Sequence, residues 1–155
     1  MQIRRANQSD IDRINCLLHQ VLDVHYKGRP DIFKENAKKY TDDELKQIIT
    51  DDERPIFVCV DEENYVLGYA FCIIENNENN VLKPIKTLYI DDLCVDENMR
   101  GKHIGKSLYE YVLDYAKSID CYNVTLNVWS CNENALSFYK KLGLDIQKIY
   151  MEKIL

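Results

Sequence analysis

Apolar positions along the chain follow two periods, and the switches between them mark the elements. Ile3 to Ala6 reads as a short edge strand. Ser9-x-x-Asp12 follows, a spacing at which a hydroxyl and a carboxylate satisfy the free amides of a helix start. Ile11, Ile14, Leu17, Leu18, Val21 and Leu22 then share one helical face, which predicts a helix packed on a sheet. The rhythm lapses from Val24 to Tyr40, where Gly28, Arg29 and Pro30 break the chain. It resumes in a shorter helix that Thr41-x-x-Glu44 caps and Ile49 closes.

Ile56–Val60 and Tyr65–Glu75 read as a hairpin around the polar turn Asp61-Glu62-Glu63-Asn64, and a long strand is expected from Lys86 to Val95. Ile104, Leu108, Val112, Tyr115, Ala116 and Ile119 recur at helical spacing, predicting an amphipathic helix over about 104–118. Val124, Leu126 and Val128 alternate as a strand. Ala135 to Leu142 reads as a helix closed by Gly143, and Ile146 to Ile154 as a last strand. The order β-α-α-β-β-β-α-β-α-β gives an α/β fold with a mixed α+β sheet. Strand, helix, strand from Lys86 to Val128 is a parallel crossover, so the helix begins at the carboxyl end of the first strand.

The chain has 155 residues, 46% apolar and 30% charged, with five Gly and three Pro. That length and composition predict a single globular domain over 1–155 and exclude disordered and fibrous classes. The net charge of −6 argues against nucleic acid as a partner and favours cationic ones. No apolar run is long enough to span a membrane, and the amino terminus has no secretory pattern, so the cytoplasm is the expected location. Six dispersed cysteines without a C-x-x-C read as reduced, mostly buried thiols, and no metal site is expected.

The loop Val95-Asp96-Glu97-Asn98-Met99-Arg100-Gly101-Lys102-His103-Ile104-Gly105-Lys106 joins the long strand to its helix. A small-residue turn entering a helix offers unpaired backbone N–H groups backed by the helix dipole, an anion site to which Arg100, Lys102 and Lys106 add charge. Gly105-Lys106-Ser107 imitates the end of a nucleotide P-loop, but three residues separate Gly101 from Gly105 where that motif needs four.

Arg100 to Gly105 resembles the acyl-CoA loop of the GNAT superfamily of N-acetyltransferases, Gln/Arg-x-x-Gly-x-Gly/Ala, with His103 at the middle glycine. Two further stretches extend the resemblance: Tyr89-Ile90-Asp91-Asp92-Leu93-Cys94-Val95, and Asn132 to Leu144, similar to the family's Asn-x-x-Ala-x-x-Phe-Tyr-x-x-x-Gly-Phe helix with Leu144 for its Phe. The resemblance implies two splayed parallel strands around acetyl-CoA, the acyl donor, and direct transfer to a primary amine of a small molecule or protein. A non-catalytic acyl-CoA-binding or regulatory domain is the alternative. Homodimers are common among proteins of this kind, so a homodimer is a further partner to look for.

By the same resemblance, Leu93, Cys94 and Val95 would pair with the pantetheine arm, and an N–H near Cys94 would polarise the acetyl carbonyl. Arg100, Gly101, Lys102, His103, Ile104, Gly105 and Lys106 would hold the pyrophosphate, and Asn132 the amide arm unless it only caps its helix. Tyr139 is the expected general acid toward the departing thiolate. Cys94 as an acyl-carrying nucleophile is the lesser reading, because strand cysteines are usually packing residues. Two carboxylates inside an apolar strand are costly unless paired or used, and alternation puts Asp91 and Asp92 on opposite faces. Asp91 is the expected general base, and Asp92 a substrate contact or an ion-pair partner. Tyr26, Phe33 and Trp129 are expected in the acceptor wall, where an aromatic surface loop is the plainer alternative.

Overall fold

A computed structural model describes residues 1–155. The elements are β1 (Gln2–Arg5), α1 (Ile11–Gly28), α2 (Asp42–Ile49), β2 (Ile56–Val60), β3 (Val66–Asn77), β4 (Ile85–Val95), α3 (Ile104–Ser118), β5 (Asn123–Leu126) and α4 (Glu133–Lys141). Short 3-10 turns precede α1 at Gln8–Asp10 and follow β4 at Glu97–Met99. The strands form one sheet in sequence order, antiparallel from β1 to β4 and parallel between β4 and β5.

Helices cover both faces. α1 and α2 bury Ile14, Leu17, Leu18, Leu45 and Ile48 against Val58, Val60, Tyr69 and Phe71. On the other face α3 packs Tyr109, Val112 and Ala116 against Phe57, Ala70, Leu88 and Ile90, with Tyr139 and Leu142 of α4 at the margin. All five residues of β2 are buried, which is why Ile-Phe-Val-Cys-Val runs without a polar interruption.

Most predicted elements form, with differences at the first cap, at the end of α1, at the end of β5 and in the tail. The cap before α1 lies earlier than Ser9-x-x-Asp12: the Asn7 side chain accepts from Ser9 N–H at 2.9 Å, and Asp10 accepts from Asn7 N–H at 2.8 Å. Asp10 also receives both Arg4 nitrogens, at 2.7 and 2.9 Å, so its carboxylate serves strand and helix together. α1 continues to Gly28, past the lapse in its apolar rhythm, because helix termination follows hydrogen bonding rather than burial. The last strand, expected at Ile146 to Ile154, does not form. Residues 145–155 make no backbone hydrogen bond, since period-two alternation records a strand's two faces and says nothing of its neighbour.

Candidate active site

β4 carries the site. It keeps its β3 partner from Ile85 to Val95, but its β5 partner only from Thr87 to Ile90, against Asn123 to Leu126. Beyond Ile90 the parallel strands part, so the N–H and C=O groups of Asp91 to Val95 that face away from β3 have no strand opposite. Asn127 Nδ2 donates to Tyr89 Oη at 3.1 Å and closes the gap at its root. An extended, amide-bearing ligand fits such a gap as an added strand.

The β3–β4 register slips once. Phe71 lies opposite Asp92 and Cys72 opposite Ile90, leaving Asp91 as the extra residue of a bulge. The bulge corrects the expectation of opposite faces by bringing both carboxylates into one cluster. Asp91 accepts from Lys39 Nζ at 2.9 Å, with Tyr40 Oη at 3.5 Å; Asp92 accepts from Tyr69 Oη at 2.8 Å. Tyr40 stacks on Phe71, and Phe71 meets Tyr69 edge to face. Burial pushes the Asp92 carboxyl above the ordinary carboxylate range, although the Lys39 charge and the Tyr69 hydrogen bond pull it down. Burial also works against the Lys39 charge, but the hydrogen bond to Asp91 and the charge of Asp92 hold its pKa above the usual lysine value.

Tyr139 projects from α4, half-buried, with its ring against Tyr109 and Phe138. Its hydroxyl makes no hydrogen bond within the chain. Burial, and next the charge of Asp92, raises its pKa well above the tyrosine norm, so the phenol keeps its proton at neutral pH. Cys94 is buried, with its Sγ 3.6 Å from the Leu17 carbonyl, and burial followed by the Asp92 charge pushes its thiol up to about 12. A buried thiol held protonated suits a packing group better than an acyl carrier. Leu93 and Val95 are half-buried beside it.

At the far end of β4 the chain turns into α3. Its first helical bond is Ser107 N–H to the His103 carbonyl, and no amide from Arg100 to Lys106 donates to any acceptor in the chain. Seven consecutive free N–H groups, four in the loop and three in the first turn of a 15-residue helix, make an anion cradle. Gly101 has φ +82° and His103 φ +62°, so the glycine position of the family pattern at which His103 stands is a left-handed one that histidine occupies at some cost. A Cβ on Gly105 would lie 3.2 Å from Phe138 and 3.5 Å from Val95, which keeps the loop, α4 and the end of β4 in close contact. Ile104 is buried and anchors the turn, while Arg100, Lys102 and His103 are exposed at the rim. Lys106 is also exposed and leans toward Glu110 at 3.6 Å. Beneath the loop the Arg13 guanidinium bonds Asp96 and donates to the Val66 carbonyl at 3.1 Å, tying α1 to the exit of β4.

An aromatic cluster joins α1, the loop after it and the segment after β5. Phe33 stands between His25 and Trp129, each ring centroid 5.1 Å from its own, and burial followed by the Lys39 charge lowers the His25 pKa. Tyr26, the next residue of α1, joins none of these ring contacts. Asn132 caps α4, accepting Ala135 N–H at 3.1 Å, which leaves its side-chain amide nitrogen as the free donor. All six cysteines are free, with Cys16 and Cys131 exposed rather than buried.

Sequence reasoning missed Lys39, Tyr40, Tyr69 and Arg13. A signal existed for Tyr69, since a tyrosine in an apolar strand needs a hydroxyl partner once buried. Lys39 lies in the loop where periodicity had lapsed, and nothing local points it at β4.

Fold and cleft together define the N-acetyltransferase class. The chain belongs to the acetyltransferase (GNAT) family, whose sequence model matches residues 19–144. A glucosamine 6-phosphate N-acetyltransferase of Arabidopsis thaliana is 38% identical over 68 residues, covering 44% of this chain and 44% of that protein. The peptidyl-lysine N-acetyltransferase YjaB of Salmonella typhimurium is 26% identical over 148 residues, covering 94% and 84%. The crystal structure of a mutant of the BH1408 protein from Bacillus halodurans is 32% identical with a TM-score of 0.95, covering 100% of this chain and 99% of that one. No helix is long and apolar enough to cross a membrane.

Proposed function

We propose that residues 1–155 act as a single N-acetyltransferase domain that passes the acetyl group of acetyl-CoA directly to a primary amine held in the same cleft. The observation that carries this reading is the alignment of two unsatisfied backbone rows: the half of β4 that β5 has left, and the seven free amides of the loop and helix start that follow it. The first suits a pantetheine arm and the second a pyrophosphate, in the order in which CoA carries them. When bound, acetyl-CoA supplies an activated acetyl thioester.

The chain's own residues supply the rest. N–H groups of Leu93, Cys94 and Val95 that face the gap stabilise negative charge developing on the acetyl oxygen. Proton acceptance is assigned to Asp92 in place of the expected Asp91, because Asp91 is engaged by Lys39 while Asp92 has a raised pKa and acts on Tyr139 across the gap. An amine arriving as an ammonium ion loses its proton to Asp92, directly or through water. The amine nitrogen attacks the thioester carbonyl, the C–S bond breaks as Tyr139 gives its proton to the departing thiolate, and the second proton of the amine returns to the Tyr139 phenolate as the amide forms. The acceptor is a cationic amine of a small molecule or a protein, drawn by the paired carboxylates and packed against Phe33 and Trp129. The six free thiols fit a reducing compartment, and the protein is assigned to the cytoplasm.

Initial-rate kinetics with acetyl-CoA and a panel of polyamines, amino sugars and lysine peptides test the proposal. Intersecting reciprocal plots, with Cys94→Ala retaining turnover, are expected for direct transfer. Parallel plots with loss of turnover in Cys94→Ala would replace it with an acyl-enzyme route, and acetyl-CoA binding without turnover on any amine would favour the non-catalytic reading.

A further inference from the structure

Lys39 brings a primary amine to the β4 acids from outside the sheet. Its Nζ donates to Asp91 Oδ2 at 2.9 Å and lies 5.5 Å from the centre of the Tyr40 ring. The other lysines in ion pairs are surface groups, with side chains 51–73% exposed, whereas that of Lys39 is 27% exposed. The two residues after it fix its placement. Tyr40 stacks on Phe71 of β3, and Thr41 exchanges capping bonds with Glu44 at the start of α2.

That seat is the one the acetyl-transfer reading gives to the acceptor. A cationic amine is drawn to the paired carboxylates, and Lys39 is an ammonium with a carboxylate and an aromatic ring for neighbours. Asp91 is also the first residue of the β4 stretch that β5 has left. Leu93 follows two residues on, about 7 Å along the strand, and a four-carbon stem covers that distance by changing rotamer. A cation needed only to neutralise Asp91 could equally be arginine, whose guanidinium stays charged. Lysine brings an amine that the chemistry of the site can acetylate.

We propose that Lys39 is a self-acetylation site: with acetyl-CoA bound and no acceptor in the cleft, the chain acetylates its own Nζ. The proposal rests on the acetyl-transfer reading and uses the same groups. The Lys39 ammonium leaves Asp91 and gives one proton to Asp92. The neutral nitrogen attacks the thioester carbonyl, and a C–N bond forms as the C–S bond breaks. Tyr139 protonates the departing thiolate, and the second nitrogen proton returns to the Tyr139 phenolate. CoA leaves as the thiol, and Lys39 is left as a neutral amide. The cation that held Asp91 is then gone and the amide fills the place of the acceptor, so the modified enzyme turns over amines more slowly. A bound acceptor competes with the reaction, which makes Lys39 a brake that engages when acetyl-CoA is present and acceptor is scarce.

The test is incubation of the full chain with acetyl-CoA and no amine, with calorimetry of acetyl-CoA binding on the same protein. Peptide mass spectrometry is expected to find a gain of about 42 Da on Lys39, approaching one per chain, at a rate independent of protein concentration. Asp92→Asn and Tyr139→Phe should each slow it at least about tenfold, while chemical acetylation of exposed Lys38 is unchanged. Lys39→Arg keeps a cation beside Asp91 and with it the fold. This variant should lose the decline in amine turnover that preincubation with acetyl-CoA causes in the unaltered chain. Acetyl-CoA binding with Lys39 left unmodified, or modified no faster than Lys38, overturns the proposal while the acetyl-transfer reading stands. Absence of binding removes both. A rate that rises with protein concentration would place the reaction between copies and overturn self-acetylation.

Discussion

Asp91 and Asp92 are neighbours in the chain with opposite electrostatic fates. Asp91 has a cation at 2.9 Å, whereas Asp92 has a phenol and a burial penalty. Because the folded state holds the Asp92 proton more tightly than the unfolded chain does, stability falls as pH rises from the ordinary carboxylate range through the raised value. Asp92→Asn is therefore expected to raise Tm at pH 7 with little gain at pH 4, while abolishing the acid limb of the kcat/KM profile. Lys39 pulls the Asp92 pKa down, so Lys39→Met should move that acid limb to higher pH, as a rate profile will show. Tyr139→Phe should lower kcat roughly 100-fold or more and leave acetyl-CoA affinity unchanged. His103→Gly relieves a left-handed residue and should keep that affinity within about threefold, whereas the β-branched His103→Val should weaken it about tenfold. The residue types of the site were legible before the fold was seen; their pairing was not. A bulge is a property of register against a neighbouring strand, so the sequence of β4 alone sent Asp91 and Asp92 to opposite faces.

Elements read best where a local rule both starts and stops them. α3 was placed at 104–118 by its 3.6-residue rhythm, and Thr41 and Glu44 do exchange the hydrogen bonds that their spacing implied. Boundaries set by distant partners were not readable. β5 ends at Leu126, short of Val128, because β4 turns away from it, and the tail has a strand's sequence without a strand's neighbour. The Arg13–Asp96 pair is another such tie, joining α1 to the loop that precedes α3. Arg13→Ala leaves Asp96 uncompensated in a largely buried place and should cost about 3 kcal/mol by denaturant unfolding. Acetyl-CoA affinity should fall with it, because the amide row loses its support from below.

As a whole, the molecule is a sheet that opens where its topology changes from antiparallel to parallel. Four strands pair along their length, the fifth for four residues only, and that early parting of β4 and β5 leaves the gap. This layout was recognisable because the family motifs fall in order along the chain, while the aromatic cluster of His25, Phe33 and Trp129 was recognisable only in outline, its residues coming from α1, the following loop and the segment after β5. The central claim is that this gap and the free amides beside it hold acetyl-CoA. Thermal unfolding in the presence of acetyl-CoA, CoA and ATP in parallel tests it. At roughly a hundred times Kd, acetyl-CoA and CoA should each raise Tm by about 5–10 °C, and ATP at the same concentration should raise it far less. An unchanged Tm with acetyl-CoA and CoA, or an equal rise with ATP, would contradict the account.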